Sequence, residues 1–176
     1  MSKKFIAISG SLRKQSFNSM LLNAVKALAP ESMNIEIVDI STLPLYNQDL
    51  EANFPPLAQE LKNKIAGSDG VIFATPEYNR STSGVLKNAI DWVSRPYGKN
   101  SFAGKKALVL GASMGPIGTA VAQSHLKQIL LYLDMQVIGQ PEFYLGTVQD
   151  KFDGAGNLTD ENTKKHIVKA LEALNK

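Results

Sequence analysis

Short apolar runs alternate with segments of helical periodicity along the whole chain. The first run, FIAI, precedes apolar residues at helical spacing up to Ala29, and the same order recurs four more times. Such runs of consecutive apolar residues are typical of strands that are buried on both faces. We therefore predict five strand–helix units, with strands at 4–10, 35–40, 70–75, 105–113 and 135–140, and helices at 18–29, 56–68, 84–93, 119–133 and 162–174.

This alternation predicts a three-layer α/β fold with a doubly wound, five-stranded parallel sheet. The length of 176 residues suits a single domain, and no linker, repeat or low-complexity tract interrupts residues 1–176. In such a sheet, ligands bind beyond the carboxyl ends of the strands, near the point where the strand order reverses. We therefore expect the loops after the first, third and fourth strands to be functional.

Composition excludes several kinds of site. The chain has no Cys, and its two His residues, His125 and His166, are isolated from each other, so we expect neither a metal centre nor thiol chemistry. The net charge of +3 comes without a Lys/Arg cluster interleaved with aromatics, which favours small anionic ligands over nucleic acid. The opening MSKKFIAISG is interpreted as a strand, not a signal peptide, and no apolar run is long enough for a membrane helix. A cytoplasmic location is expected.

The loop after the first strand, GSLRKQSFNS, has more hydrogen-bonding groups than a turn requires. The following helix presents free backbone N–H groups and a positive dipole end, which together favour an anion such as phosphate. The simpler alternative is an ordinary helix cap, which would leave most of these side chains without a role. The candidate phosphate ligands in this loop are one planar cation, Arg13, and four short polar side chains, Ser11, Ser16, Asn18 and Ser19.

The loop after the third strand, TPEYNRSTSG, has the groups that a planar heteroaromatic ring needs along its edge. Pro76 fixes its own φ, and the N–H groups of Glu77 to Asn79 are expected to face the cleft. Tyr78 adds an aromatic face, and Asn79 can both donate and accept. The alternative is a loop that only caps the next helix, with Tyr78 packed on the surface, and the residues leave both interpretations open.

The loop after the fourth strand, GASMGPIGT, contains Gly111, Gly115 and Gly118. Glycines permit close backbone approach or positive φ, and Thr119 is expected to cap the next helix. The spacing and position do not match a dinucleotide fingerprint. The alternative is tight packing of strand against helix. Together, the residues of the three loops fit a phosphorylated planar cofactor such as FMN.

The same loops carry a family resemblance. GSLRKQSFN, TPEYNRSTSGVLKNAIDW and GASMGPIGTAVAQSHLKQILLYLD resemble the motifs of NADPH-dependent FMN reductases, in particular the quinone and chromate reductases with a flavodoxin-like fold. The match runs from the first strand to the fifth, and the tail after Gly139 is less diagnostic. The resemblance implies the strand order 2-1-3-4-5, bound FMN, and NADPH or NADH as electron donor.

The resemblance also implies a ping-pong reaction that passes electrons to quinones, free flavin, azo compounds or chromate. FMN carries the chemistry in such enzymes, so no catalytic side chain is expected. Dimers or tetramers are implied as well. The implied cofactor-binding residues are Ser11, Arg13, Ser16, Asn18 and Ser19 for the phosphate, and Pro76, Glu77, Tyr78, Asn79, Ser113 and Gly115 for the ring.

The segment HLKQILLYLD is apolar on more than one helical face, which favours a helix buried on two sides. We therefore predict a homo-oligomer that uses this helix or the helix at 84–93, although a helix wedged in the core gives the same pattern. Trp92 is expected to be structural, and His125 is expected at an interface or in the core. The apolar residues concerned are Leu126, Ile129, Leu130, Leu131 and Leu133.

Two other functions use the same architecture. Flavodoxin-type electron carriers dock through acidic faces, whereas this chain is basic, and the chain lacks their short Thr-rich phosphate loop. Signalling receiver domains need an acidic cluster after the first strand, where this sequence has SGS. The carrier is the closer alternative to the reductase.

Overall fold

The computed structural model describes residues 2–176 as a parallel sheet with helices on both faces. Two short 3₁₀ segments, Gln48–Asn53 and Val148–Asp150, lie in loops. The strands and α-helices, in chain order, are β1 (Lys3–Ser9), α1 (Phe17–Ala27), β2 (Met33–Val38), α2 (Pro56–Ala66), β3 (Gly70–Ala74), α3 (Gly84–Ser94), β4 (Lys106–Ala112), α4 (Ala120–Tyr132), β5 (Gln136–Val137), β6 (Tyr144–Leu145) and α5 (Glu161–Asn175).

The sheet has the order β2-β1-β3-β4-β5 with every pair parallel, which confirms the predicted fold class and strand order. Ser9 at the end of β1 is in register with Ala74 at the end of β3, and Ala74 is in register with Leu110 of β4. The three strands therefore end at one edge of the sheet. Their loops leave from the same place, as the sequence predicted.

The fifth strand differs from the prediction of one strand over 135–140. β5 pairs with the start of β4, and a separate two-residue strand, β6, pairs with Gly111 and Ala112 near the end of β4. Pro141 lies between the two pieces, and a proline has no N–H to donate to a ladder. The split places β6 beside the loop that follows β4, so residues after Gly139 contribute to the functional edge of the sheet.

The sheet separates two apolar cores. Phe5 and Ala7 of β1 face the side covered by α1 and α5, and Ile6 and Ile8 face the side covered by α2, α3 and α4. All four side chains are at most 1% exposed. Burial on both faces explains the uninterrupted apolar runs, because side chains alternate between the two cores. The loops of the functional edge thus rest on a rigid base.

Trp92 of α3 is fully buried and structural, as expected. Its indole N–H donates to the Pro44 carbonyl at 2.8 Å, and its ring contacts Tyr46 and Phe54 edge-on, with ring centroids 5.1 and 5.0 Å away. These contacts fix the long loop between β2 and α2 against α3.

None of the helices described within residues 2–176 is long and apolar enough to cross a membrane.

Candidate functional site

Ser16 caps α1 and ends the first of the three loops at the sheet edge. The Ser16 hydroxyl accepts from the Ser19 N–H at 3.3 Å, and the Ser16 carbonyl accepts from the Met20 N–H at 2.9 Å. The first turn of α1 contains no acidic residue, so nothing there neutralises the positive end of the helix dipole. The helix cap is therefore real, but it uses only one of the polar side chains in the loop.

Three hydroxyl side chains gather beside this helix end. The Ser19 hydroxyl donates to the Ser9 hydroxyl at 3.0 Å, and the Ser11 N–H donates to the same Ser9 oxygen at 3.3 Å. Ser9, Ser11 and Ser19 line one cavity of about 410 Å³ together with Arg13. Sequence reasoning missed Ser9; the signal was a hydroxyl at the end of an otherwise apolar strand. Small hydroxyls, a cation and a helix start form a donor set suited to a phosphate.

Arg13 is exposed, and its guanidinium lies 5.3 Å from the centroid of the Phe17 ring. Among residues 2–176, no carboxylate lies within ion-pair distance of it. Asp39 lines the same cavity, but both of its oxygens accept hydrogen bonds from Ser41 at 2.8 Å. The Ser41 N–H and hydroxyl lower the pKa of Asp39. Arg13 is thus the cation available to an anion in this cavity.

Asn18 lies at the start of α1 and is buried against the end of β4. Its Nδ2 donates to the Ala112 carbonyl at 3.1 Å, and its Oδ1 accepts from the Ala112 N–H at 3.0 Å. The side chain therefore replaces the neighbour that the backbone of β4 lacks at this point. The first and third loops are held together by this pair, with one Nδ2 hydrogen left for a further acceptor.

The loop after β3 is a tight hairpin turn. Tyr78 and Ser81 exchange two backbone hydrogen bonds of 3.0 Å, and Asn79 and Arg80 between them have φ of 50° and 62°. The Tyr78 N–H is therefore used within the turn, contrary to the expectation that all three N–H groups face the cleft. Within residues 2–176 the N–H groups of Glu77 and Asn79 have no hydrogen-bond partner. Tyr78 and Asn79 are exposed.

Pro76, the residue before the hairpin, is buried against the loop after β1. A Cβ added to Gly10 would lie 2.9 Å from the Pro76 Cδ, so the two loops approach more closely than any other residue would allow at position 10. The Ser83 hydroxyl donates to the Gly10 carbonyl at 2.6 Å and strengthens the same contact. The second loop is thereby fixed to the first.

Glu77 links the hairpin to α4. One carboxylate oxygen accepts from the N–H groups of Val121 and Ala122 at 3.1 and 3.2 Å, and the other pairs with Arg80 at 2.9 Å. Thr119, the expected cap of α4, has a φ of 66° and no capping hydrogen bond, so Glu77 caps this helix from another loop. Burial raises the pKa of Glu77, but these N–H groups and the Arg80 guanidinium outweigh it and lower the pKa below its ordinary 4.5.

Two of the three glycines around the loop after β4 are required by tight packing, and the third is exposed to solvent. A Cβ on Gly111 would lie 2.0 Å from the Thr119 hydroxyl oxygen, and Gly118, with a φ of 63°, has the backbone of Tyr144 2.6 Å from its Cβ position. Both serve tight packing, as the alternative interpretation held. Gly115 instead is exposed and has no atom within 4 Å of its Cβ position. It leaves the backbone accessible to a ligand.

Ser113 stands between the end of β4 and this open glycine. Its N–H donates to the Leu145 carbonyl at 2.9 Å, and its hydroxyl donates to the Gly115 carbonyl at 3.0 Å. β6 thus supports the third loop.

His125 of α4 contacts the hairpin, with its Nδ1 3.2 Å from the Ser81 hydroxyl. His125 is exposed, so the core position that the sequence allowed is wrong.

The residues of the three loops fit FMN. The cavity beside α1 supplies hydroxyls, a cation and a helix start for a phosphate dianion. The hairpin and the third loop supply free N–H groups at Glu77 and Asn79, an exposed aromatic ring at Tyr78 and an open backbone at Gly115, which suit the edge and face of a flat ring. Fold and site together define a flavodoxin-like flavoprotein.

The chain belongs to the NADPH-dependent FMN reductase family, whose family model matches residues 3–150. It is similar to a 2-hydroxy-1,4-benzoquinone reductase from a Burkholderia species, with 46% identity over 167 residues that cover 95% of this chain and 91% of that protein. A quinone reductase of Escherichia coli K12 is 43% identical over 179 residues, covering 98% of this chain and 95% of that protein.

A solved structure is similar over nearly the whole fold. It is FerB, a flavoenzyme NAD(P)H:(acceptor) oxidoreductase from Paracoccus denitrificans, with a TM-score of 0.92 and 42% sequence identity, covering 98% of this chain and 95% of that chain. The expected family and fold are confirmed by these comparisons. The individual cofactor contacts stay predictions.

Arg13→Ala is expected to weaken FMN binding by about ten- to hundredfold, because a hydrogen bond to a charged group contributes roughly 1.5–3 kcal/mol. Riboflavin has no phosphate, so its affinity should change little. Lys14→Ala is the matched control and should have a much smaller effect on FMN, as a screened surface charge does. The measurement is a parallel titration of the apoprotein with both flavins. An equal loss for FMN and riboflavin in Arg13→Ala would show that Arg13 does not contact the phosphate.

Glu77→Gln keeps an acceptor oxygen but removes the charge at the start of α4. The pKa of Glu77 is lowered in the folded protein, so its stabilisation is present above the ordinary carboxyl pKa and is lost as the pH falls through the lowered value. We expect the variant to be less stable by about 1–2 kcal/mol at neutral pH. Denaturant unfolding at a series of pH values should show this difference shrinking in acid. A difference that is constant with pH would contradict the role of the charge.

Proposed function

We propose that the protein is an NAD(P)H-dependent FMN oxidoreductase that reduces quinones and related small acceptors. The observation that carries this proposal is the meeting of three loops at one sheet edge, where a phosphate-type donor set lies beside free backbone N–H groups. Family membership supports the cofactor, and the names of the relatives support quinones as acceptors. In the overall reaction a quinone, NAD(P)H and a proton give a hydroquinone and NAD(P)⁺.

Each loop would hold a different part of the cofactor. The cavity beside α1, which Ser9, Ser11 and Ser19 line, would bind the phosphate. The hairpin and the third loop would bind the ring. When bound, FMN supplies the electron-transfer chemistry, taking an electron pair from the nicotinamide and giving it to the acceptor. The residues proposed to contact it are Ser9, Ser11, Arg13, Ser16, Asn18 and Ser19 at the phosphate, and Pro76, Glu77, Tyr78, Asn79, Ser113 and Gly115 at the ring.

The protein side chains would bind and orient rather than transfer protons. The free N–H groups of Glu77 and Asn79 are fixed donors that would stabilise negative charge at the ring edge. The Glu77 carboxylate is used to cap α4, so its negative charge is directed to a helix start instead of the ring. Tyr78, which is 52% exposed, would cover part of a ring face.

The proposed function is tested by steady-state turnover of the purified protein. We expect yellow protein with about one FMN per chain and oxidation of NADPH or NADH when a quinone is supplied. Parallel assays with free FMN, an azo dye and chromate would define the acceptor range, since chromate and azo reduction stay predictions, as does the cytoplasmic location. Protein that stays colourless with FMN would contradict the cofactor. Protein that binds FMN but oxidises neither nicotinamide would be a flavodoxin-type carrier.

A homo-oligomer is proposed through the groove between α3 and α4. The groove has a volume of about 600 Å³, and its apolar residues include Ile90 and Ile129. Tyr97 and Tyr132 on its rim are 89% and 85% exposed, and Leu131 of α4 is 62% exposed. Leu126 and Leu130 on the opposite side of α4 are fully buried, which supports the expectation of a helix with two apolar faces.

Tyr132→Asp would replace an 85% exposed aromatic ring on this groove with a charged side chain. The change should dissociate the oligomer, because apolar contact area is lost and a charge must be desolvated. Val168→Asp, at a 38% exposed position on α5, is the matched control and should leave the oligomer intact. Light scattering after size exclusion gives the mass. A wild-type mass of 19.1 kDa, that of one chain, would contradict the proposed oligomer.

A further inference from the structure

A second cavity lies beside the candidate flavin site, between the loop after β1, the loop after β2 and the start of α3. Its volume is about 490 Å³, within the range of roughly 300–1,000 Å³ that small-molecule sites occupy. It includes Tyr78 of the hairpin and none of the third loop, and it shares four lining residues with the cavity beside α1, namely Leu12, Arg13, Ile40 and Ser41. The apolar side chains that line it are Leu12, Ile40, Leu43, Leu45, Tyr78 and Val85.

Large apolar side chains on its rim are exposed to solvent. Leu12 is 48% exposed, Tyr78 is 52% exposed and Leu45 is 83% exposed. Grouped apolar exposure of this kind marks binding surfaces more often than single exposed residues do. The three side chains come from three different loops, so the tertiary fold, rather than local sequence, brings them to one opening.

Leu45 is held in its exposed position by both neighbours. The carbonyl of Pro44 accepts from the Asn88 side chain at 2.9 Å and from the Trp92 indole at 2.8 Å. The N–H of Tyr46 donates to the Asn88 Oδ1 at 2.7 Å. One amide side chain therefore binds the backbone on each side of Leu45. The anchored loop presents this leucine at the rim of the cavity, where most of its side chain is exposed.

Apart from Arg13, which would pair with the phosphate of FMN, and the Tyr78 hydroxyl, the polar side chains around the cavity are already committed to the protein. Both functional groups of Asn88 bind the loop, and the Ser83 hydroxyl donates to the Gly10 carbonyl and accepts from the Leu86 N–H at 3.3 Å. Ser41 is bonded to Asp39 through its N–H and its hydroxyl. A purine or a sugar would leave most of its hydrogen-bonding groups unpaired here, at a cost in binding. A neutral apolar ring has few such groups and fits the lining.

We propose that this cavity binds the apolar ring of a neutral quinone acceptor, with Leu45 as a specificity residue and Asn88 as a positioning residue for the loop. The inference rests on the proposed function, because the acceptor must reach the flavin site. Arg13 lines both cavities and Tyr78 of the hairpin lines this one, so a ring held here lies next to the proposed cofactor contacts. Small hydrophilic acceptors would gain nothing from the leucine.

The test compares two acceptors in the FMN-loaded enzyme. Leu45→Asn should raise the KM for 1,4-naphthoquinone by about three- to tenfold, as expected for the loss of one to two methylene groups of apolar contact, and should leave turnover with ferricyanide unchanged. Asn88→Ala should raise the same KM selectively, since it releases the loop. Val168→Asn, on the opposite face of the sheet, is the control. Calorimetric titration of the oxidised enzyme with naphthoquinone, without nicotinamide, should show the same loss of affinity in Leu45→Asn.

Several results would overturn the inference. An unchanged naphthoquinone affinity in Leu45→Asn would show that the acceptor binds elsewhere, and the proposed function would stand if wild-type turnover persisted. A parallel loss of FMN affinity in Leu45→Asn would mean that the cavity holds the flavin ring. A change of mass in solution would mean that Leu45 lies in a contact between copies of the chain. A wild-type enzyme inactive with every acceptor would refute the proposed function itself.

Discussion

The buried amide of Asn18 is the interaction on which the functional edge depends. It bonds both the N–H and the carbonyl of Ala112, and so holds the start of α1 to the end of β4 across the sheet. β3 lies between β1 and β4 in the sheet. The loop after β3 is fixed to the first loop at Gly10 and to α4 by Glu77. The three loops therefore form one rigid unit. Replacing Asn18 would leave a buried polar pair of Ala112 unsatisfied and separate the two ends of the site.

The order of elements could be predicted from the sequence because strands buried on both faces leave an unambiguous apolar signal. The loops after β1, β3 and β4 could be identified because a parallel sheet brings their starting points together. The candidate phosphate loop could be identified for a local reason: hydroxyls, a cation and a helix start follow one another within ten residues of sequence.

What the sequence could not reveal are contacts between residues far apart in the chain. Asn18 looked like a phosphate ligand or a cap, and its bond to Ala112 spans 94 positions. Glu77 looked like a ring contact, and its capping of α4 spans 44 positions. β6 was missed because the strand has only two residues, and two residues are too few to show a periodic signal. The loop after β2 carries no periodic signal, whereas in the structure Asn88 and Trp92 bind it to α3 and present Leu45 beside the candidate flavin site.

Amide hydrogen exchange of the apoprotein with and without FMN tests the central claim most directly, because it locates the cofactor without any substitution. We predict slower exchange in residues 11–19, 77–79 and 113–115 together. Exchange should be unchanged in the last turn of α5, which contacts the starts of β1 and β4 at the opposite edge of the sheet. All three segments should respond at the same FMN concentration, since Asn18 and Glu77 join them into one unit. Slowing confined to one loop, or slowing along α5 instead, would contradict the assignment of the three loops to a single flavin site.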